Sequence, residues 1–334
     1  MKFHYEFAIK KMEQPITHHH SILLIGSCFT ENIGDLLKNS KFTVLENPSG
    51  ILFNPVSVVE ALKMYINKEI ITAENLFSYN ECWHSWRHHS RYSGITATEA
   101  LQKINQSTQS SHQYLKQADY LFITLGSAWV YQLTDKAIGA AIGTTVANNH
   151  KAPSNWFEKK LLSPSEIVDI FKKLLQELYL FNPHLRVIFT ISPVRHLREG
   201  VIENNRSKAA LIQSVHELVQ GYDYLYYFPA YELVIDDLRD YRFYSEDLVH
   251  PNYHATQYVW EKFTEACLSN NTQQLLQQIK EINLAYQHLP FNAETQAHQA
   301  FLKKYAILTQ RLMEIHPEIN YTDTLAYFKT GIKN

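Results

Sequence analysis

Short continuous apolar runs alternate with longer amphipathic stretches along the first four-fifths of the chain. Residues 22–25, all aliphatic, form the first run and stop at Gly26. Runs at 41–46, 120–125, 186–191 and 224–228 continue the series as strands. Between them, helical spacing of apolar positions predicts helices over 55–67, 98–117, 165–180, 206–220 and 253–268, and a further helix capped by Thr30 that buries Ile33, Leu36 and Leu37. Strands separated by helices imply a parallel sheet covered on both faces, an α/β fold in three layers. Residues 132–162, rich in Ala, Gly, Asn and Pro, are too long for a simple connection and read as a lid or wall. Residues 80–94 form a loop dense in aromatic and histidine side chains. From about residue 271 onward two helices, broken at Leu289-Pro290-Phe291, are expected to pack on the main unit. The domain boundaries read as 1–268 for the α/β unit and 269–334 for a C-terminal helical extension.

Chemistry concentrates at two places in this pattern. The turn after the first strand carries Ser27 and Cys28, two potential nucleophiles, at the start of a helix. Unpaired N–H groups and the positive end of the helix dipole favour a thiolate or an oxyanion there. The competing role is a small buried cysteine beside a turn-forming serine. Near the other end, Asp247-Leu-Val-His250 lies in a loop after the fifth strand, at the strand C-terminal edge where doubly wound folds bind ligands. Its spacing lets one short turn supply an imidazole base and the carboxylate that orients it.

Composition narrows the classes. Hydrophobic residues make up 45% of the 334-residue chain and aromatics 13%, enough for a sizeable core. Lys plus Arg total 31 against 33 Asp plus Glu, with no long run of either sign, which argues against nucleic acid as a partner and against an anionic membrane surface. No segment reaches the length of a membrane span, and three scattered cysteines give no disulfide framework, so a cytoplasmic protein is expected. No glycine-rich phosphate loop is present and no cofactor is implied. A small-molecule, carbohydrate or acyl substrate fits this balance best.

Gly26-Ser27-Cys28-Phe29-Thr30 resembles the signature of the GSCFA family, with threonine in place of the usual alanine. That family is similar to the GDSL or SGNH hydrolase superfamily. Residues 47–55, 83–89, 124–131, 192–196 and 241–251 match further family stretches in order, so the resemblance covers most of the chain. It implies a flavodoxin-like, SGNH hydrolase type of α/β/α sandwich. Laid without gaps on the superfamily turn Gly-Asp-Ser-Leu-Thr, Cys28 rather than Ser27 takes the nucleophile position, and Asp247 and His250 complete a triad. The resemblance also suggests the backbone N–H groups of Cys28 and Gly50 as oxyanion donors. The usual third donor, an asparagine, is replaced by Ala128; Ser127, Asn54 or a loop histidine are the candidate substitutes.

Other polar residues fall near the same edge. His84, His88 and the neighbouring His89 are spaced for a zinc site, but without a carboxylate or cysteine pair they read as site wall rather than metal ligands. His150 lies in a family-like stretch, Asn148-Asn-His-Lys151. Arg195 and His196 follow the fourth strand, with an ion pair to Asp236, Asp237 or Asp240 as the alternative role for Arg195. Trp83, Trp86, Tyr92, Trp129 and Tyr131 offer a stacking wall for a sugar or acyl chain. Together these residues point to a hydrolase or acyltransferase acting on an ester, thioester or related acyl bond. The alternative is a non-catalytic binding protein that keeps the fold and pocket.

Overall fold

A computed structural model describes residues 5–333 of the chain. Residues 1–4 and 334 lie outside the described residues. The first strand, β1 (Ser21–Gly26), feeds α1 (Cys28–Asn39), followed by β2 (Thr43–Glu46) and α2 (Pro55–Asn67). A small hairpin, β3 (Phe77–Tyr79) and β4 (Cys82–His84), precedes α3 (Ala97–Gln117) and β5 (Tyr120–Leu125). Then come β6 (Trp129–Leu133), β7 (Thr145–Val146) and β8 (Phe157–Leu161), α4 (Pro164–Phe181), β9 (Arg186–Ile191) and α5 (Val201–Gly221). The α/β unit closes with β10 (Leu225–Phe228), the short α6 (Ala230–Glu232) and α7 (Tyr253–Cys267).

Five of these strands form one parallel sheet in the order β10-β9-β5-β1-β2. Counted within the sheet, that is the 2-1-3-4-5 winding of flavodoxin-like folds, whose ligands bind outside the strand C-termini where the order reverses. Here the reversal lies between β1 and β5. Alternate residues of each strand enter opposite layers. Leu23, Ile25, Ile123 and Phe189 pack with α2 to α5, while Ile22, Leu24, Phe122 and Ile188 meet Phe29 and Ile33 of α1 and Val259 and Phe263 of α7. The three-layer α/β/α architecture follows directly from this alternation.

Three expectations change on folding. Helix α1 begins at Cys28, two residues before the anticipated Thr30 cap, because extended Ser27 already occupies the N-cap position. The 132–162 stretch is largely structured: β6 pairs antiparallel with both β7 and β8, and the sheet so formed is pinned to the histidine-rich loop. Trp86 donates from its indole to the Ile138 carbonyl at 2.9 Å, and Ala147 N–H donates to the Trp86 carbonyl at 2.7 Å. This excursion is therefore a fixed wall. Finally, the C-terminal region contains three helices rather than two: α8 (Asn270–Gln287), α9 (Gln296–Ile315) and α10 (Thr322–Thr330). The extra break follows from Pro317, which disfavours helical geometry at His316. These helices share a core of Ile279, Ile282, Leu312, Tyr327 and Phe328. Contacts back to the α/β unit include Asn283 Nδ2 donating to the Asn39 carbonyl at 2.7 Å and the Lys41 ammonium 4.5 Å from the Tyr321 ring centroid.

Where β1 ends beside β5 there is no room for a side chain. At Gly26, φ is +153°, and a Cβ there would run into the Thr124 carbonyl oxygen and lie 2.8 Å from Thr30 Oγ1. A Gly26→Ala substitution must push β1 away from β5, and we expect it to destabilise the protein by about 3 kcal/mol, measured as a lower midpoint in urea unfolding.

Candidate active site

The nucleophile turn is built by backbone geometry. Ser27 is extended, with φ −73° and ψ 179°, and its carbonyl accepts the Thr30 N–H at 2.9 Å, which starts α1. The two candidate nucleophiles part here. Ser27 is 2% exposed and its Oγ, buried, meets no hydrogen-bond partner, whereas Cys28, at the first helical position, is half-buried. The expected thiolate is not what this turn favours. Burial and, second, the Glu31 carboxylate push the Cys28 thiol above its ordinary value, and the opposing effects of its own N–H and of Arg91 are smaller. Glu31 in turn pairs with Arg91 at 2.5 Å.

Asp247 and His250 form a closed dyad. One Asp247 oxygen accepts the N–H groups of Val249 at 2.9 Å and His250 at 3.0 Å, and the other lies 2.7 Å from His250 Nδ1. Donation from the His250 backbone and then from its ring pulls the Asp247 carboxyl down to about 2. Since an ionised carboxylate only accepts, Nδ1 carries a proton, which in the neutral ring leaves Nε2 as the atom with the lone pair. Leu248, between the two, adopts a left-handed φ of 56°, which lets the turn close on itself.

A series of backbone hydrogen bonds runs along the strand C-termini and ties the loops together. Asn47 Oδ1 accepts the Gly26 N–H at 2.9 Å, and Leu52 N–H donates to the Gly26 carbonyl at 2.9 Å. The Phe53 carbonyl accepts from both Gly126 and Ser127. Ser192 N–H donates to the Leu125 carbonyl, and Arg195 N–H to the Val249 carbonyl at 3.1 Å, which brings the dyad loop to the same edge. His196 sits over this seam: a Cβ on Gly126 would lie 3.1 Å from its Nε2, and its ring is 5.4 Å from that of Phe53. Burial, then Lys208, then His250 hold His196 down to about 3, so it is neutral.

The remaining candidates from the sequence divide by what their side chains already do. Gly50 N–H donates to the Asn47 carbonyl at 2.7 Å, and the missing side chain accommodates the His89 ring, with φ at +79°. Asn54 caps α2, accepting from Ser57 N–H at 2.9 Å and donating to Ser57 Oγ. Ser127 Oγ accepts from Trp129 N–H and meets Ser207 Oγ, while Ala128 N–H donates to Ser207 Oγ at 2.7 Å. Trp129 donates its indole N–H to the Glu203 carbonyl. These residues stabilise the loops around the edge.

Three histidines belong to the wall. His84 bonds Ser93 Oγ and the Tyr79 carbonyl; His88 bonds Ser85 Oγ; His150 bonds the Ser85 carbonyl and lies 4.6 Å from the His84 ring. Burial holds His88 down to about 3 and His150 down to about 4. Among the described residues no group of three His, Cys, Asp or Glu side chains is placed to hold a metal ion. His89, weighed in the sequence with His84 and His88, packs on Gly50 beside the nucleophile loop. Arg195 forms no ion pair within 4.0 Å with Asp236, Asp237 or Asp240; its guanidinium lies 5.2 and 5.0 Å from the ring centroids of Tyr241 and Tyr244. No helix among the described residues is long and apolar enough to cross a membrane.

Residues 21–263 match the model of the GSCFA family, and residues 279–334 match that of the GSCFA domain protein, C-terminal domain. No curated protein matches the chain. Among solved structures, it is similar to a protein from Streptococcus pneumonia (TM-score 0.39, 12% identity, covering 74% of this chain and 83% of that one). It is also similar to a carbohydrate esterase family 3 from Talaromyces cellulolyticus (0.33, 10%, 78% and 99%). A third is an acetyl xylan esterase from the rumen bacterium Butyrivibrio proteoclasticus (0.36, 11%, 81% and 66%).

Lys208 is a residue that sequence reasoning missed, although the spacing Asn204, Ser207, Lys208, Leu211, Val215 sets it on the buried stripe of α5. It is 1% exposed and donates to the carbonyls of Gly126 and Ser192, both at 2.6 Å, bridging the ends of β5 and β9. No carboxylate among the described residues pairs with it, and burial pushes its ammonium down to about 7 from 10.5. Between those values the unfolded chain binds a proton that the native state does not, so this group's contribution to stability rises with pH. Chemical unfolding of the wild type and of Lys208→Met from pH 7 to 10 should therefore show the difference moving in favour of the wild type, by on the order of a few kcal/mol.

Proposed function

The chain belongs to the GSCFA family, and on that premise we propose that it is an esterase-like hydrolase or acyltransferase working through Cys28, His250 and Asp247. The observation that carries this reading is the dyad. Asp247 fixes the His250 ring with Nδ1 protonated, so that Nε2 is the base, at the sheet edge where α1 presents Cys28. Cys28 is half-buried where Ser27 is fully buried, which favours sulfur over oxygen as the attacking atom.

Because the Cys28 thiol is held above its ordinary value, the thiolate forms during attack and not before it. His250 Nε2 takes the thiol proton as the S–C bond forms, and the carbonyl oxygen becomes an oxyanion facing the N-terminus of α1. Collapse breaks the bond to the leaving oxygen or sulfur, which takes the proton from His250 and leaves a thioester on Cys28. Water or an alcohol or amine acceptor, deprotonated by the same imidazole, then releases the acyl group. The oxyanion donors are sparse here, since Gly50 N–H is already bonded and Ala128 is buried against Ser207. That scarcity favours, as a second reading, a binding protein without turnover.

Two measurements separate these readings. Incubation with a small activated thioester should add one acyl mass to Cys28, and His250→Ala should slow the addition by about a hundredfold or more. A chain that never acylates at Cys28 would instead be a binding protein. Independently, alkylation of Cys28 by iodoacetamide should be slow at pH 7 and accelerate above pH 9, as the raised thiol value requires. Rapid alkylation at pH 6 would contradict that protonation state.

A further inference from the structure

Beside the dyad loop, the chain opens a cleft that the acyl chemistry does not use. After α6 the helical path widens into a π-turn, Leu233–Leu238, and ends at Arg239 with a left-handed φ of 41°. Such widened turns leave an opening in a helix surface and recur at functional sites. The resulting cleft, ≈ 260 Å³, is lined by Arg195, Val234, Asp236, Tyr241 and Tyr244 among others. It shares a wall with the dyad through the bond from Arg195 N–H to the Val249 carbonyl.

The lining carries two arginines, Arg195 and Arg239, and two aspartates, Asp236 and Asp240, but Arg195 is not paired with either aspartate. The guanidinium of Arg195 is held by the Tyr241 and Tyr244 rings, and no carboxylate lies within 4.0 Å among the described residues. Arg87, Arg91 and Arg206, by contrast, each have a glutamate partner at 2.9 Å or less. Asp240 is occupied, accepting from Arg242 N–H at 2.8 Å, and Asp236 is exposed at the mouth. Tyr244 is 8% exposed, and its buried hydroxyl, beside the Arg195 guanidinium, has no acceptor among the described residues.

We propose that this cleft is a recognition subsite for a carboxylate, carried by the acyl donor or acceptor that reaches Cys28. A guanidinium supported by aromatic rings keeps N–H donors in a planar fork, which matches two coplanar carboxylate oxygens. The Tyr244 hydroxyl supplies one more donor. A phosphate dianion would leave further oxygens against Val234 and the tyrosine rings. The role of the carboxylate in turnover rests on the acyl-transfer reading; its binding does not.

Calorimetric titration of the full chain with succinate tests the site, with inorganic phosphate as the second arm. Succinate should bind the wild type, lose about tenfold or more in affinity in Arg195→Met, and weaken in Tyr244→Phe, which keeps the ring and serves if the arginine variant does not fold. Phosphate should bind more weakly than succinate. Equal succinate affinity in wild type and variants, no succinate binding, or tighter binding of phosphate overturns the proposal. Succinate binding that persists in a chain unable to acylate Cys28 leaves the subsite standing and removes the acyl-transfer reading; acylation without succinate binding does the reverse.

Discussion

Everything at the functional edge depends on how closely β1 passes β5 at Gly26. The Thr124 carbonyl fills the space a side chain would need, Ser27 N–H donates to that same carbonyl at 3.3 Å, and Asn47 Oδ1 takes the Gly26 N–H. With both sides of the turn held, the chain leaves the sheet with Ser27 facing inward and Cys28 at the surface end of α1. The same contact aims the helix N-terminus along the strand ends. A small shift here would move Cys28 and the start of α1 relative to the strand ends, because strained turns are kept only when the surroundings determine them fully.

Outward from Gly26, the loops are linked by main-chain hydrogen bonds rather than by side-chain packing. Phe53, Gly126, Leu125, Ser192, Arg195 and Val249 pass the connection from the β2 loop to the dyad loop. This explains why several polar side chains that look catalytic in the sequence are engaged elsewhere. Asn54, Ser127 and His88 fix the loops whose backbones form the edge. The groups not engaged in this way are few: the Cys28 thiol, the Asp247–His250 pair and the first N–H groups of α1.

Electrostatics divide this edge. On the β1 side charges are paired, as in Glu31 with Arg91, and the thiol stays protonated. Toward β9 two cations, Lys208 and Arg195, lack carboxylates among the described residues, and His196 between Lys208 and His250 is kept neutral. An unpaired guanidinium beside aromatic rings is a natural place for an anion to be recognised.

Much of the fold was legible in the sequence because strand and helix are set by local periodicity. The runs at 120–125 and 186–191 and the helix at 55–67 match the observed β5, β9 and α2, since buried parallel strands need continuous apolar residues and Pro55 marks a first turn. The positions of Cys28 and of Asp247 with His250 were visible for the same reason, as each is a short local motif. What the sequence could not determine is which polar groups remain free. Gly50 N–H, Ala128 N–H and the Arg195 guanidinium acquire their surroundings from residues distant in the chain, and the protonation of Cys28 depends on burial that only the packed turn creates. Lys208 shows the limit most clearly. Periodicity places it on the buried stripe of α5, but its two carbonyl partners come from separate strands, and only the parallel sheet brings those strand ends together.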